Sequence, residues 1–265
     1  MKWAQGYLLI LFLGAILGPE LAPEAWLQPQ LEKSYLAPSW PHLMGTDDLG
    51  RDLMTRIFLG ARVSLGLGLI VAFCCFVLGS TLGLLVADFS ERSERVLSRA
   101  VEITALLPQL ILLSFILSFF SAELKSSRDF YFVLSLCAIL TGWFSFYRQA
   151  RQLTYQEKNK SYVLSAKALG ATPWRVLWTH IRPNIFPSLK ASLAVSVSSF
   201  LLFESSLSFL GLGIRPPMTS WGVLILDGWK VFSLYPYVLL GPALILFLTS
   251  YSLNIWFRPS AKGQL

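Results

Sequence analysis

The sequence predicts an all-α membrane protein with about six transmembrane helices, and three observations predict it. Hydrophobic residues make up 54% of the chain and charged residues only 14%, against roughly 25% charged in soluble domains. Mean hydropathy is +0.58. The apolar residues are gathered into solid blocks near the roughly 20 residues that a helix needs to cross hydrocarbon. They do not alternate every second residue, as the strands of a membrane barrel would. One polytopic helical domain follows.

The first block, about Trp3 to Gly18, follows Lys2 and competes with a signal peptide. Its small-residue pattern is weak and Gly18-Pro19-Glu20 is a poor processing end, so residues 1–19 read as a retained first helix. Residues 20–61 then form an extracytoplasmic segment. Within it, GTDDLGRDLMTRIFLGAR sets Asp47, Asp48 and Asp52 around Gly50 and Arg51, ahead of an amphipathic turn carrying Leu53, Ile57 and Phe58. This reads as an interfacial helix capped by Thr46 or Asp47. The spacing fits no calcium loop of the EF-hand type, which ends on a bidentate Glu.

A transmembrane core is expected over 62–257, with a cytoplasmic tail at 258–265. Its blocks run from about Arg62 to Ala87, Val101 to Phe120, Phe130 to Ala150, Phe186 to Leu207 and Tyr235 to Phe257. Asp88 and Glu102 sit near inner helix ends, where solvation explains them. Cys74, Cys75 and Cys137 all fall inside blocks, odd in number and without metal-ligand spacing, and read as packing residues.

Between the fourth and fifth blocks lies a basic interlude, YVLSAKALGATPWRVLWTHIRPN, from Tyr162 to Asn184. It is too polar to cross a bilayer but is patterned for helix. Tyr162, Ala166 and Leu169 share one face, with Lys160 and Lys167 elsewhere on the turn. Gly170 breaks the run, and Thr172-Pro173 restarts it as a cap followed by proline at the first helical position. On the second helix Trp174, Leu177 and Ile181 line one side and Arg175, Thr179 and Arg182 the other. Pro183 and Pro187 discourage continuation. Two short helices hinged at a glycine and held at a membrane surface make a docking platform; the plainer reading is an ordinary loop with two surface helices.

The fifth block ends in SLSFLGLGIRPPMTSWG, Ser206 to Gly222. Gly211 and Gly213 stop the helix, Pro216-Pro217 keeps it stopped, and Trp221 is placed to anchor the turn at the outer interface. Just before it lies Glu204, with Ser205, Ser206 and Ser208 nearby. An ionisable group at membrane depth is costly and usually faces a cavity or a partner. Glu204 is therefore a candidate for the translocation path or for an interface with a second subunit; a hydrated interfacial carboxylate is the alternative.

With the N-terminus cytoplasmic, both ends come out inside. Lys2, Arg92, Arg95, Arg99, the eight basic residues from Arg148 to Lys190, Arg258 and Lys262 then face the cytoplasm, and eight of the 22 lysines and arginines fall outside. That bias satisfies the positive-inside rule. It also explains the net charge of +7 through topology rather than nucleic-acid binding.

No Gly-x-x-x-x-Gly-Lys-[Ser/Thr] occurs, so this chain holds no ATP by that motif. His42 and His180, the only histidines, lie in loops on opposite sides of the membrane, and no carboxylate pair sits mid-helix. Neither an intramembrane protease nor another enzyme is expected. An ion-coupled secondary transporter or channel is the competing class, but no repeat relates the two halves and the basic platform would go unexplained.

The platform resembles the coupling loop of permeases of ATP-binding-cassette importers, the "EAA" motif, with Ala166, Gly170, Ile181 and Pro183 at matching positions. Leu164 stands at the motif's glutamate, Ser165 at its first alanine and Arg182 at the leucine that usually precedes the proline. GTDDLGRD and SLSFLGLGIRPPMTSWG resemble segments of the dipeptide, oligopeptide and nickel branch, C-type permeases in particular. The resemblance implies a type I importer permease fold in a bacterial-type inner membrane. It implies a coupling loop over 158–184 in which Tyr162, Leu164, Ser165, Ala166, Lys167, Gly170, Trp174, Arg175, Ile181 and Pro183 meet a separate ATPase. It further implies a homologous permease as partner in a heterodimer, two ATPase subunits that bind the ATP, and an extracytoplasmic solute-binding protein that selects peptide, nickel or another small solute.

Overall fold

A computed structural model describes residues 2–23, 26–87, 91–106, 108–120 and 126–256. The expected tail at 258–265 and Asp88 lie outside these residues. Eleven helices follow one another in the described chain: α1 (Lys2–Leu21), α2 (Leu53–Val86), α3 (Glu91–Ala105), α4 (Gln109–Phe120), α5 (Ser127–Gly142), α6 (Phe144–Lys158), α7 (Ser161–Ala168), α8 (Pro173–Arg175), α9 (Arg182–Leu207), α10 (Trp221–Lys230) and α11 (Pro236–Trp256). Five stretches are long and apolar enough to cross a membrane: Trp3–Leu21, Leu53–Val86, Ser127–Lys158, Pro173–Leu212 and Pro236–Trp256. The end of the bundle that carries α7 and α8 is called here the basic end.

The second span starts nine residues before the expected boundary. Leu53 to Val86 is one helix of 34 residues, so the interfacial turn and the membrane block are continuous. Its cap is Asp52, not Thr46 or Asp47: the Asp52 carboxylate accepts from the Thr55 N–H at 2.8 Å and the Thr55 hydroxyl at 2.7 Å. Asp47 instead organises the preceding loop. It accepts from the N–H groups of Leu49 and Arg51 and from the buried Arg56 guanidinium at 2.6 Å.

The third block does not become one crossing helix. Pro108 has no N–H to continue a ladder, and its carbonyl accepts from Leu112 N–H to start α4, only 12 residues long. Ahead of it, α3 is amphipathic. Glu94, Ser98 and Val101 are buried at i, i+4 and i+7, and the polar pair meets α6: Ser98 Oγ lies 3.0 Å from Tyr147 OH, and Arg151 Nε donates to Glu94 at 2.8 Å.

Prolines in the spans leave carbonyls that something must satisfy. Pro19, inside α1, cannot donate to Ala15 four residues earlier. Arg62 of α2 reaches across and donates to the Ala15 carbonyl at 2.5 Å and to Ile16 at 2.7 Å, with Glu20 also at 3.0 Å. A basic residue expected in the outer solvent thus pins α1 to α2. Pro183 is met differently: the backbone widens to a π-helical turn over Val176–Ile181 and runs on into α9. The prolines therefore do not end the platform's second helix; from Pro173 it is the same rod as the fifth span.

Helix α2 is the hub, packed against α1, α5, α6, α9 and α10. Its closest neighbour is α6, and two glycines four residues apart allow the approach. A Cβ at Gly79 would stand 2.7 Å from Phe146 Cβ, and one at Gly83 2.9 Å from Ala150 Cβ, with the carbonyls of Trp143 and Tyr147, respectively, closer still. Small residues at this spacing let membrane helices meet backbone to backbone. At the far end of the contact, Lys158 of α6 donates to the carbonyl of Ala87, which caps α2. Gly79→Ala and Gly83→Ala should each cost about 1–3 kcal/mol by overpacking, read as a lowered unfolding temperature in detergent. Unchanged melting of Gly83→Ala would show that the crossing tolerates a side chain.

Candidate coupling site

The platform is built from a glycine turn. Helix α7 closes with the Ala171 N–H donating to the Ala166 carbonyl and the Gly170 N–H to Lys167, the paired bonds of a Schellman cap. The cap needs left-handed backbone at Gly170, where φ is +85°. Nothing lies within 4 Å of the position a Cβ would take. Backbone conformation, not space, demands glycine here. Thr172 then caps α8, its hydroxyl accepting from Arg175 N–H at 3.4 Å, and Pro173 occupies the first turn as expected.

The faces fall differently from the periodic reading. In α7 the buried residue is Val163, while Tyr162, Leu164, Ser165, Lys167 and Leu169 are exposed and Ala166 is half-buried. In the second helix Leu177 and Ile181 are buried as expected and Val176 joins them, but Trp174 and Arg175 face outward and Pro183 is exposed. The widened π turn rotates side chains relative to a uniform 3.6-residue period, which is why Val176 and Leu177 go in together. Val163, Val176, Leu177, Ile181, Ile185 and Leu189 form one apolar cluster with Leu84 of α2 and Ala150 of α6. The platform is therefore rooted in the α2–α6 crossing.

A polar root supplements the apolar one. Glu157, at the end of α6, accepts from Lys160 Nζ at 2.6 Å and from Tyr162 OH at 2.5 Å. Asn184 of α9 donates to Tyr162 OH at 3.1 Å and to the His180 carbonyl at 2.6 Å. Tyr162 thus ties α6, α7 and α9 together. Partial burial and the bond to Glu157 push its phenol up to about 12, so it stays a protonated donor at neutral pH. Nothing local marks Glu157 in the sequence, because Tyr162 reaches it only across the turn between α6 and α7.

What remains outward is unusual for a polar end. Leu169 is 88% exposed, Trp174 63% and Leu164 54%, flanked by Lys167 and Arg175. Large apolar side chains clustered on an otherwise polar surface mark an interaction site.

At the opposite end Glu204 is 1% exposed and enclosed by three hydroxyls. Its carboxylate accepts from Ser220 at 2.6 Å, Ser208 at 2.8 Å and Ser64 at 3.2 Å. Of the serines near it in sequence only Ser208 reaches it; Ser205 and Ser206 bond back to their own helix. Ser220 also caps α10 by accepting from Val223 N–H, and Ser64 accepts from Trp221 N–H. Trp221 is no interfacial anchor: it is fully buried, with its indole N–H donating to the Ile57 carbonyl at 3.0 Å. Glu204 therefore sits where α2, α9 and α10 join.

Residues 79–262 match the family described as the binding-protein-dependent transport system inner membrane component. The chain is 33% identical over 249 residues to the dipeptide transport system permease protein DppC of Bacillus subtilis, covering 94% of this chain and 76% of that one. It is 30% identical to the oligopeptide transport system permease protein OppC of the same organism, covering 94% and 79%. To the glutathione transport system permease protein GsiD of Pectobacterium atrosepticum it is also 30% identical, covering 82% and 70%. Its fold matches a chain of the MetNI methionine ABC transporter, solved in inward-facing conformations, with a TM-score of 0.61 at 17% identity over 77% of this chain and 94% of that one. These relatives favour a permease over an ion-coupled transporter or channel. The chain belongs to the family of binding-protein-dependent transport inner membrane components, and is a membrane-spanning permease subunit of an ATP-binding-cassette importer.

Proposed function

We propose that this chain forms half of a peptide translocation pathway whose motion is driven through residues 158–184. The observation that carries the reading is the continuous helical run from Pro173 to Leu207, from the exposed platform to the opposite end. A push on Trp174 or Arg175 at one end is delivered by a rod to the Glu204 junction at the other. The basic character of the platform end supports a cytoplasmic placement for it and for both termini. There the outward Leu164, Leu169 and Trp174 are suited to a groove on an ATPase subunit, which binds the nucleotide that this chain has no motif to hold.

The full machine on this reading contains a homologous permease as the second half, two ATPase subunits and an extracytoplasmic binding protein. Relatives named for dipeptide, oligopeptide and glutathione transport support peptides as cargo over nickel. Binding of a peptide and metal panel to the partner binding protein checks this; tight nickel binding with no peptide binding would reverse it. Glu204 acts as a latch that holds α10 on α2 and α9, its enclosure favouring that role over lining an open path.

At Gly170 an alanine should cost roughly 1 kcal/mol through left-handed strain, whereas asparagine, which tolerates that backbone, should be nearly neutral. Gly170→Trp should lower the ratio of transport to ATP hydrolysis in the reconstituted importer. Wild-type coupling in Gly170→Trp would refute the platform as drawn. Glu204→Ala leaves three buried hydroxyls without their acceptor, at about 1–3 kcal/mol for each unsatisfied group. Its expected signature is reduced abundance and melting temperature, with partial rescue by Glu204→Gln; normal abundance with abolished uptake would instead place Glu204 on the path.

A further inference from the structure

Near the basic end, a partly open cavity of about 130 Å³ lies between α2 and α9. Most of its wall is apolar, supplied by Phe76, Val77 and Leu84 on one side and Ile185, Phe186 and Leu189 on the other. Ser80, Trp178 and Arg182 also line it. Two of their atoms, Ser80 Oγ and Trp178 Nε1, are buried with no hydrogen-bond partner in the protein. Buried polar atoms left this way are rare in folded chains and call for an occupant. The Arg182 guanidinium stacks over the Trp178 ring at 4.9 Å, and no carboxylate among the described residues pairs with it.

A guanidinium beside a serine and an indole that line one space suits an oxyanion. Arg182 is itself exposed, so it offers a positive charge that an anion arriving from outside can reach. The apolar wall adds a second requirement. Val77 and Phe186 are 43% and 42% exposed at the rim, so the occupant presents hydrocarbon beside its charge. Basic pockets between membrane helices on the cytoplasmic side bind lipid head groups by this combination. We propose that the cavity holds the phosphate of an anionic phospholipid, with the acyl chain lying along Val77 and Phe186. The assignment to the inner leaflet rests on the orientation proposed above; it does not depend on the cargo or on ATPase coupling.

Native mass spectrometry of the full-length chain tests it, with phosphatidylglycerol and phosphatidylcholine of equal acyl composition offered together. The wild type should retain phosphatidylglycerol preferentially. Arg182→Leu should cut that preference roughly five-fold, the worth of one arginine at an anionic surface. Trp178→Phe, which keeps the ring and removes the N–H, should reduce it as well, while Arg99→Leu, an exposed charge on α3, should leave it intact. Equal retention of the two lipids, or a preference unchanged in both Arg182→Leu and Trp178→Phe, would overturn the proposal. Binding of inorganic phosphate that Arg182→Leu abolishes, without any lipid preference, would overturn the lipid assignment in favour of a free anion.

Discussion

The close crossing of α2 and α6 is the contact on which the rest of the molecule depends. Gly79 and Gly83 bring two backbones together where water cannot mediate and where lipid offers no hydrophobic drive for association. Packing is the only force left to hold the helices there, so shape decides the geometry. Once α6 lies against α2, its Tyr147 and Arg151 are positioned to receive α3, and its Ala150 becomes the floor of the platform cluster. The Lys158 bond to the end of α2 closes the same contact. Platform, amphipathic helix and membrane hub are thus three consequences of one pair of small residues.

A second constraint runs through all the spans: each backbone group in hydrocarbon needs a partner inside the protein. At three prolines the chain interrupts a helical ladder and meets each interruption with a different device. At Pro19 the repair is the Arg62 side chain, at Pro183 a wider helical turn, and at Pro108 a true helix end. These choices have mechanical consequences. A true end separates α3 from α4 and uncouples them, whereas the widened turn keeps the platform continuous with the span that follows. The same residue type therefore makes a joint in one place and a rigid connection in another.

Polar groups at the two ends of that rod share a design. At the basic end Glu157 collects Lys160 and Tyr162, and through Asn184 it gathers α6, α7 and α9. At the other end Glu204 collects Ser64, Ser208 and Ser220, and with them α2, α9 and α10. Each carboxylate accepts from separate elements and so fixes their relative positions. Because α9 takes part in both junctions, displacement of one has a direct structural route to the other.

The sequence by itself determined everything that depends on neighbours along the chain. Block length announced the spans, the Gly170–Thr172–Pro173 string announced the turn and its cap, and the three motifs announced the family. Their causes are local: hydrocarbon thickness, left-handed backbone at a glycine, and a hydroxyl three residues before an N–H. Tertiary structure decided whatever needs a partner far away. Periodicity put Tyr162, Ala166 and Leu169 on one face, but the residue that α2 and α6 receive is Val163, which is not among them. Asp47 read as the cap, but Arg56 claims it and Asp52 caps the helix instead. Trp221 looked interfacial, and Glu204 looked open to a path, a partner or water, but Ile57, Ser64 and Ser220 enclose them. A charge or an aromatic ring carries no mark of its depth in the sequence; its depth is set by which distant groups arrive to satisfy it.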